Sequence, residues 1–248
     1  MTGTLYLIPN TLGPAEGKNP LAAIIPAEVC QLTAQLDYFV AENAKTTRAF
    51  LKLVAQQHPL AKPLQEIDIR ELNINTAPTA LPALLEPLLT GRNAGLISEA
   101  GVPAVADPGA NLVRLAHAKG VPVKPLVGPS SLLLALMASG LNGQSFAFNG
   151  YLPVDGAQRA KRLKELEDRS RQEKQTQLFI ETPYRNASML ETLVNTCRHG
   201  TLICVATDIT LASESIQTKT AAAWNAEMKA GKIPDFNRKP TVFLLLSD

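Results

Sequence analysis

The feature that most restricts the fold is an alternation running the length of the chain: short apolar runs take turns with amphipathic stretches long enough to be helices. This pattern arises when strands are joined by crossover helices, because each helix covers a sheet face with one apolar stripe while the strands between are buried. The class is therefore α/β. In the first half the spacing predicts strands over 4–8, 38–41, 67–72, 95–98 and 121–126, with helices over 26–36, 45–57, 79–90 and 110–119. Pro26 suits a first helical turn, and Gly91 and Gly120 suit helix exits.

The run Val127-Gly128-Pro129-Ser130-Ser131 closes this set, and its serines are natural N-caps for a helix over 132–139. We place a boundary here, giving an N-terminal lobe over 1–127 and a C-terminal lobe over 128–248. The second set has expected strands at 145–148, 177–181, 202–208, 214–218 and 241–246, and helices at 158–174, 186–198 and 221–229. Two α/β/α lobes joined by a tight linker predict a ligand cleft between them.

Composition excludes several functions. With 46% hydrophobic and 19% charged residues, the 248-residue chain has material for a large core, and a net charge of +2 provides no global field for nucleic acid or anionic membrane. Cys30, Cys197 and Cys204 lack C-x-x-C spacing and are odd in number, which fits a reducing, cytoplasmic setting rather than a disulfide framework. The opening residues read as a strand and not a signal peptide, and no apolar run approaches the roughly 18 residues that span a bilayer. His58, His117 and His199 are scattered without acidic neighbours, so no metal site is expected. The chain also lacks G-x-G-x-x-G, a P-loop and a G-x-S-x-G elbow, which removes the common dinucleotide, nucleotide-hydrolase and hydrolase readings.

The informative stretch is 95–109, where an apolar strand runs into Ser98-Glu99-Ala100-Gly101-Val102-Pro103-Ala104-Val105-Ala106-Asp107-Pro108-Gly109 and then a helix. Small, turn-forming residues after a parallel strand leave backbone groups uncovered for a ligand, with Ser98 or Glu99 offering a side chain and Gly101 and Ala106 allowing close approach. An ordinary strand-to-helix connection has the same composition.

This stretch resembles the S-D-A-G-T-P-x-x-S-D-P-G signature of the tetrapyrrole methylase superfamily, within it the small-subunit ribosomal RNA 2′-O-methyltransferase I group. Further segments follow in the same order. Leu7-Ile8-Pro9-Asn10-Thr11-Leu12-Gly13 resembles V-P-T-P-I-G-N, and Glu42 to Arg48 resembles A-E-D-T-R. The segment 121–131 resembles I-P-V-x-P-L-P-G-P-S-A, Phe148 to Pro153 resembles F-x-G-F-L-P, and Phe179 to Arg185 resembles F-Y-E-S-P-H-R. The resemblance covers about 4–210 and implies a bilobal methyltransferase, a homodimer in the cytoplasm, that binds S-adenosylmethionine between its lobes and takes part in rRNA processing. By position it implies that Pro9, Ser98, Glu99, Ala100, Gly101, Val102 and Ala106 line the cofactor, that Ser130 and Ser131 meet its amino acid end or ribose, and that Tyr151, Thr182 and Pro183 close from the second lobe. Each has a plainer alternative: Tyr151 as a core aromatic, Pro183 as a turn former, Ser130 as an N-cap.

Methyl transfer from a sulfonium is an in-line displacement with a good leaving group already attached, so positioning does most of the work. For a hydroxyl acceptor Glu42 is the candidate base, with Arg48 orienting it or binding a phosphate; the alternative is a surface pair at a helix entrance. The chain departs from the group's pattern at Asn43, Glu99 and Ala106, and it has Glu71-Leu72-Asn73-Ile74-Asn75-Thr76 where the group has S-F-H-E-H-N. The group also carries a region beyond the second lobe, whereas this chain stops at Asp248 after its last strand. Those differences keep two other readings open beside ribosomal RNA or the small ribosomal subunit as acceptor: a paralogous methyltransferase for another acceptor, and a cofactor-binding module without catalysis. Between Arg159 and Lys174 seven basic residues interleave with Glu165, Glu167, Asp168 and Glu173, which reads as a solvated helix laced with ion pairs or as a phosphate-binding strip.

Overall fold

The N-terminal half builds its sheet from five parallel strands, β1 (Leu5–Ile8), β2 (Tyr38–Ala41), β3 (Asp68–Glu71), β4 (Ala94–Ile97) and β5 (Val123–Pro125), in the order β3-β2-β4-β1-β5. The structure is a computed structural model that describes residues 1–14 and 20–248. It divides into two units, Met1–Ser130 and Ser131–Asp248.

Four helices connect the strands of the first unit: α1 (Ala27–Ala34), α2 (Ala44–Val54), α3 (Leu81–Leu89) and α4 (Gly109–Ala118). The alternation along the strands sorts them onto two faces. Ile8, Phe39, Ala41 and Ile97 pack with Val29 and Cys30 of α1 and Phe50, Leu51 and Val54 of α2. Leu5, Tyr38, Val40 and Leu96 pack with Leu84, Leu85 and Leu88 of α3 and Leu112 and Ala116 of α4. Successive strand residues point to opposite faces, so helices on both sides require strands apolar throughout, and the four residues of β2 and of β4 are all buried.

The second unit mixes parallel and antiparallel strands. Helix α5 (Ser131–Ser139) precedes β6 (Phe146–Tyr151), α6 (Gly156–Glu173), β7 (Thr176–Ile180), α7 (Asn186–Thr196), β8 (Leu202–Thr207), β9 (Ser215–Thr220), α8 (Ala221–Lys229) and β10 (Thr241–Leu246). The strand order is β6-β7-β10-β8-β9, and only the β6–β7 pair is parallel. No helix separates β8 from β9, so they form a hairpin, and β10 inserts between β7 and β8 antiparallel to both. Phe179, Ile203, Val205, Phe243 and Leu245 face Leu163 and Leu166 of α6, Leu190, Leu193 and Val194 of α7, and Trp224 of α8. Helix α5 packs against β8, β9 and β10, and Thr218 Oγ1 donates to Ser139 O at 2.7 Å.

Among the described residues no helix is long and apolar enough to cross a membrane.

Candidate functional site

Strand order locates the site in the first unit. The chain leaves β1 toward α1 on one face and leaves β4 toward α4 on the other, and β1 and β4 are adjacent. Their outgoing loops diverge, opening a crevice at the carboxyl ends of the strands, the position where open α/β sheets take ligands.

The crevice has a stitched floor. Asn10, two residues past β1, donates its backbone N–H to Gly101 O at 2.9 Å, and Gly101 N–H returns to Thr11 O at 3.4 Å. The Asn10 side chain is buried and donates from Nδ2 to Ser98 O at 3.1 Å and Glu99 O at 3.0 Å, while its Oδ1 accepts from Thr11 N–H at 2.8 Å. Neighbouring contacts are as close: a Cβ on Gly128 would lie 2.2 Å from Pro9 Cβ, and one on Gly101 would lie 3.1 Å from Leu12 Cδ2 and 3.5 Å from Pro129 O. Pro9, Gly101 and Pro129 thus bring the loops after β1, β4 and β5 together.

Asp107 sets the shape of the loop after β4. Its Oδ2 accepts from the Ser98 hydroxyl and from Ala104 N–H at 2.8 Å, and its Oδ1 accepts from Gly109 N–H at 2.7 Å at the start of α4. Between these anchors Ala104 and Ala106 adopt φ of 65° and 61°, and Gly101 adopts 68°. Left-handed backbone costs a non-glycine residue roughly 1–2 kcal/mol, so two such alanines persist only because the surroundings hold them, a condition common at ligand loops. Glu99, Ala100, Val105 and Ala106 are exposed, Val102 is half-buried, and Ser98 and Gly101 are buried with their backbone in the loop wall.

A second loop reaches the same place. Glu42, directly after β2, continues the ladder through its N–H to Ile97 O at 3.0 Å and accepts Glu99 N–H on Oε2 at 3.0 Å. Among the described residues Oε1 of Glu42 has no hydrogen-bond partner. Burial, more than any other cause, pushes the Glu42 carboxyl above the ordinary carboxylate range; the Glu99 N–H opposes this, and the nearby Asp107 and Glu99 charges add to it. Asn43 caps α2, its Oδ1 accepting from Lys45 N–H at 2.9 Å and Thr46 N–H at 3.3 Å, and its Nδ2 donates to Glu99 Oε1 at 2.8 Å. Glu71 of β3 accepts Ala44 N–H at 2.9 Å. Arg48 lies exposed on α2, and among the described residues nothing pairs it with Glu42.

The structure brings Pro9, Ser98, Glu99, Ala100, Gly101, Val102, Ala106 and Glu42 to one crevice edge. Asp107 and Asn10, which organise it, do not stand out in the sequence as site residues. The signal for Asp107 was an Asp-Pro-Gly turn opening a helix, where a carboxylate accepts backbone N–H groups two residues on. Ser130 ends the first unit half-buried, and Ser131 opens α5. Within the second unit Tyr151 is 61% exposed at the end of β6, beyond a register shift after Phe148, so the core-aromatic alternative does not hold. Thr182 and Pro183 follow β7. Glu181, buried, accepts Thr182 N–H at 2.6 Å and Arg185 Nη2 at 2.6 Å on Oε1, leaving Oε2 without a partner among the described residues. Pro183 opens a tight turn, Pro183–Arg185, and its carbonyl accepts Arg238 N–H at 3.1 Å.

Four of the seven basic residues along α6 and its C-cap are engaged within the protein. Arg159 is buried, donating to Thr192 Oγ1, Ser188 Oγ and Val154 O, while Arg162–Glu165, Arg169–Glu173 and Arg171–Asp168 pair along the helix and Arg198 joins Asp168. Among the described residues no group of three potential ligands is placed to hold a metal ion.

Comparison with known proteins follows the same lines. No protein-family model matches the chain. It is 30% identical over 91% of its length to a protein named ribosomal RNA small subunit methyltransferase I from Xylella fastidiosa, spanning 76% of that relative. Three further relatives of that name are spanned over 54%, 60% and 53% of their length. In fold the chain matches the crystal structure of the methyltransferase CobJ, with a TM-score of 0.62 and 18% identity over 99% of this chain and 95% of the other. It also matches uroporphyrin-III C-methyltransferase from Thermus thermophilus complexed with S-adenosylhomocysteine, with a TM-score of 0.55 and 16% identity over 99% and 98%. The fold is thus that of the tetrapyrrole methylases.

Proposed function

The chain belongs to the ribosomal RNA small subunit methyltransferase I family, and on that footing we propose that it transfers the methyl group of S-adenosylmethionine to a ribose 2′-hydroxyl of small-subunit ribosomal RNA. The observation that carries this reading is the crevice at the carboxyl ends of β1 and β4, with a loop shaped by Asp107 and a partly buried carboxylate, Glu42, at its edge.

The loop fits such a cofactor. Glu99, Ala100 and Ala106 are exposed on the loop, and Ala104 and Ala106 are held in left-handed conformations. We assign cofactor contact to Pro9, Ser98, Glu99, Ala100, Gly101, Val102, Ala106 and Ser130, and extend it to Ser131, Tyr151, Thr182 and Pro183 of the second unit on family resemblance. Bound S-adenosylmethionine supplies a methyl group on a sulfonium leaving group. With the cofactor bound, Glu42 Oε1 would accept the proton of the attacking hydroxyl. Burial makes Glu42 a stronger base than a solvated carboxylate, closer to the range in which proton transfer helps most. That a carboxylate stands there with one oxygen uncommitted favours catalysis over a cofactor-binding module. Arg48, exposed and without an ion-pair partner among the described residues, is assigned to a substrate phosphate.

We also place the protein in the cytoplasm as a homodimer. Support comes from the family resemblance and, for the compartment, from three buried free cysteines whose thiols burial pushes up, that of Cys197 to about 12. Light scattering of the purified chain tests the dimer.

The decisive experiment is calorimetric titration with S-adenosylmethionine and S-adenosylhomocysteine, followed by methyl transfer to small ribosomal subunits from a strain lacking the gene. Binding that disappears in Gly101→Trp places the cofactor at this loop. No binding at millimolar cofactor sinks the reading, and binding with transfer only to other acceptors overturns the RNA assignment.

A further inference from the structure

The contacts of Asn43 point to a role beyond capping a helix. Its amide is committed at both ends, because Oδ1 must face the free N–H groups of Lys45 and Thr46, which leaves Nδ2 pointing away from the helix at Glu99 Oε1, 2.8 Å distant. The rest of the residue is equally fixed. Thr46 Oγ1 and Thr47 Oγ1 both donate to Asn43 O at 3.0 Å. Glu99 in turn holds Glu42, since its N–H is the partner of Glu42 Oε2. The three residues form a closed chain of contacts joining the loop after β2 to the loop after β4.

We infer that Asn43 is a positioning residue which, through Glu99, fixes the Glu42 carboxylate at the crevice edge with Oε1 free for the acceptor hydroxyl. Only an amide does both jobs. An aspartate caps the helix as well, but presents oxygen to a carboxylate where Asn43 presents N–H, so the loops are pushed apart and Glu42 gains another negative neighbour. The charged groups facing Glu42 are Glu99 and Asp107 on the loop after β4, with Glu71 beside the α2 N-terminus on β3; no cation is bonded to it among the described residues.

The inference rests on the methyl-transfer reading for what the positioning serves, so the test has one arm that does not need turnover. Asn43→Asp, Glu99→Gln and the double variant are compared by carbon-detected NMR titration of Glu42 in the cofactor-free protein, and by the pH dependence of kcat/KM for methyl transfer. In Asn43→Asp the Glu42 titration and the acid limb of the rate profile both move up by about one pH unit, the size of one added like charge at short range, with about tenfold loss of rate below the limb. In the double variant the amide introduced at position 99 donates to the carboxylate introduced at position 43 and the charge count is restored, so both midpoints return to their starting positions. Asn43→Ser adds no charge and keeps the α2 cap while losing the bond to Glu99; a Glu42 titration and kcat like those of the parent in that variant, or a double variant that fails to return, overturns the inference. If the parent protein shows no turnover but the titration moves and returns, the methyl-transfer reading fails and the positioning of Glu42 stands.

Discussion

Asp107→Ala is the perturbation that bears most directly on the crevice. The carboxylate accepts three hydrogen bonds, from Ser98, Ala104 and Gly109, that hold the loop after β4 in shape. Bonds to a charged acceptor contribute about 1.5–3 kcal/mol each, and the lower figure suits a half-buried group. Against this loss stands the release of backbone strain at Ala104 and Ala106, about 1 kcal/mol apiece at the low end of the left-handed penalty. The net cost to the ordered loop is therefore about 2–3 kcal/mol. Hydrogen exchange at the Ala104 and Gly109 amides reads this locally, without assuming that the two units unfold together. Protection there should fall by about 30-fold to 150-fold, and S-adenosylhomocysteine affinity by a comparable factor if the cofactor requires the ordered loop. Amide protection and affinity both within about threefold of the parent protein would refute the assignment of Asp107 as the loop's organiser.

Other expectations follow from the same geometry. Glu42→Gln should lower methyl transfer by about 100-fold to 10,000-fold while leaving cofactor affinity nearly unchanged. Because burial raises the Glu42 pKa in the folded state, its contribution to stability is full in acid and is lost as pH rises through the folded pKa; at neutral pH the glutamine variant should denature no more readily than the parent, and the part of the acid-side gain due to Glu42 should vanish. Gly128→Ala places a methyl 2.2 Å from the rigid Pro9 ring and should cost about 2–4 kcal/mol, read as a lower Tm; an unchanged Tm contradicts the packing of these loops. Arg48→Ala should reduce the salt dependence of RNA binding by about one phosphate contact and leave cofactor titrations alone, whereas an unchanged slope removes Arg48 from the RNA interface.

Elements were legible in this sequence where periodicity and punctuation agreed. The run Tyr38–Ala41 reads as a strand, and it is β2, buried throughout; the stretch 158–174 reads as a charged helix, and α6 spans Gly156–Glu173. Pairing was not legible. Nothing local in Thr241–Leu246 says that it inserts between β7 and β8 antiparallel to both, because an apolar strand buried on two faces carries no mark of its neighbours' direction. Strand order has the same standing: the crevice exists because β1 and β4 are adjacent although far apart in sequence, which no window of residues encodes.

The candidate site was legible by residue type and illegible by partnership. Ser98, Gly101 and Ala106 are conspicuous as small residues in a loop after a strand, but the residue that fixes their shape, Asp107, looks in sequence like one more turn former. Asn43 and Glu99 show the same limit more sharply. Read along the chain they are two unrelated departures from the family pattern, each counting against the site; in space they are donor and acceptor of one hydrogen bond 2.8 Å long. An aspartate at 43 beside the longer carboxylate at 99 would set like charges together, so the amide at one position suits the glutamate at the other. Two changes that each argue against function when taken singly therefore amount to one arrangement that keeps Glu42 in place, and substituting Asn43 alone should do more harm than substituting it together with Glu99.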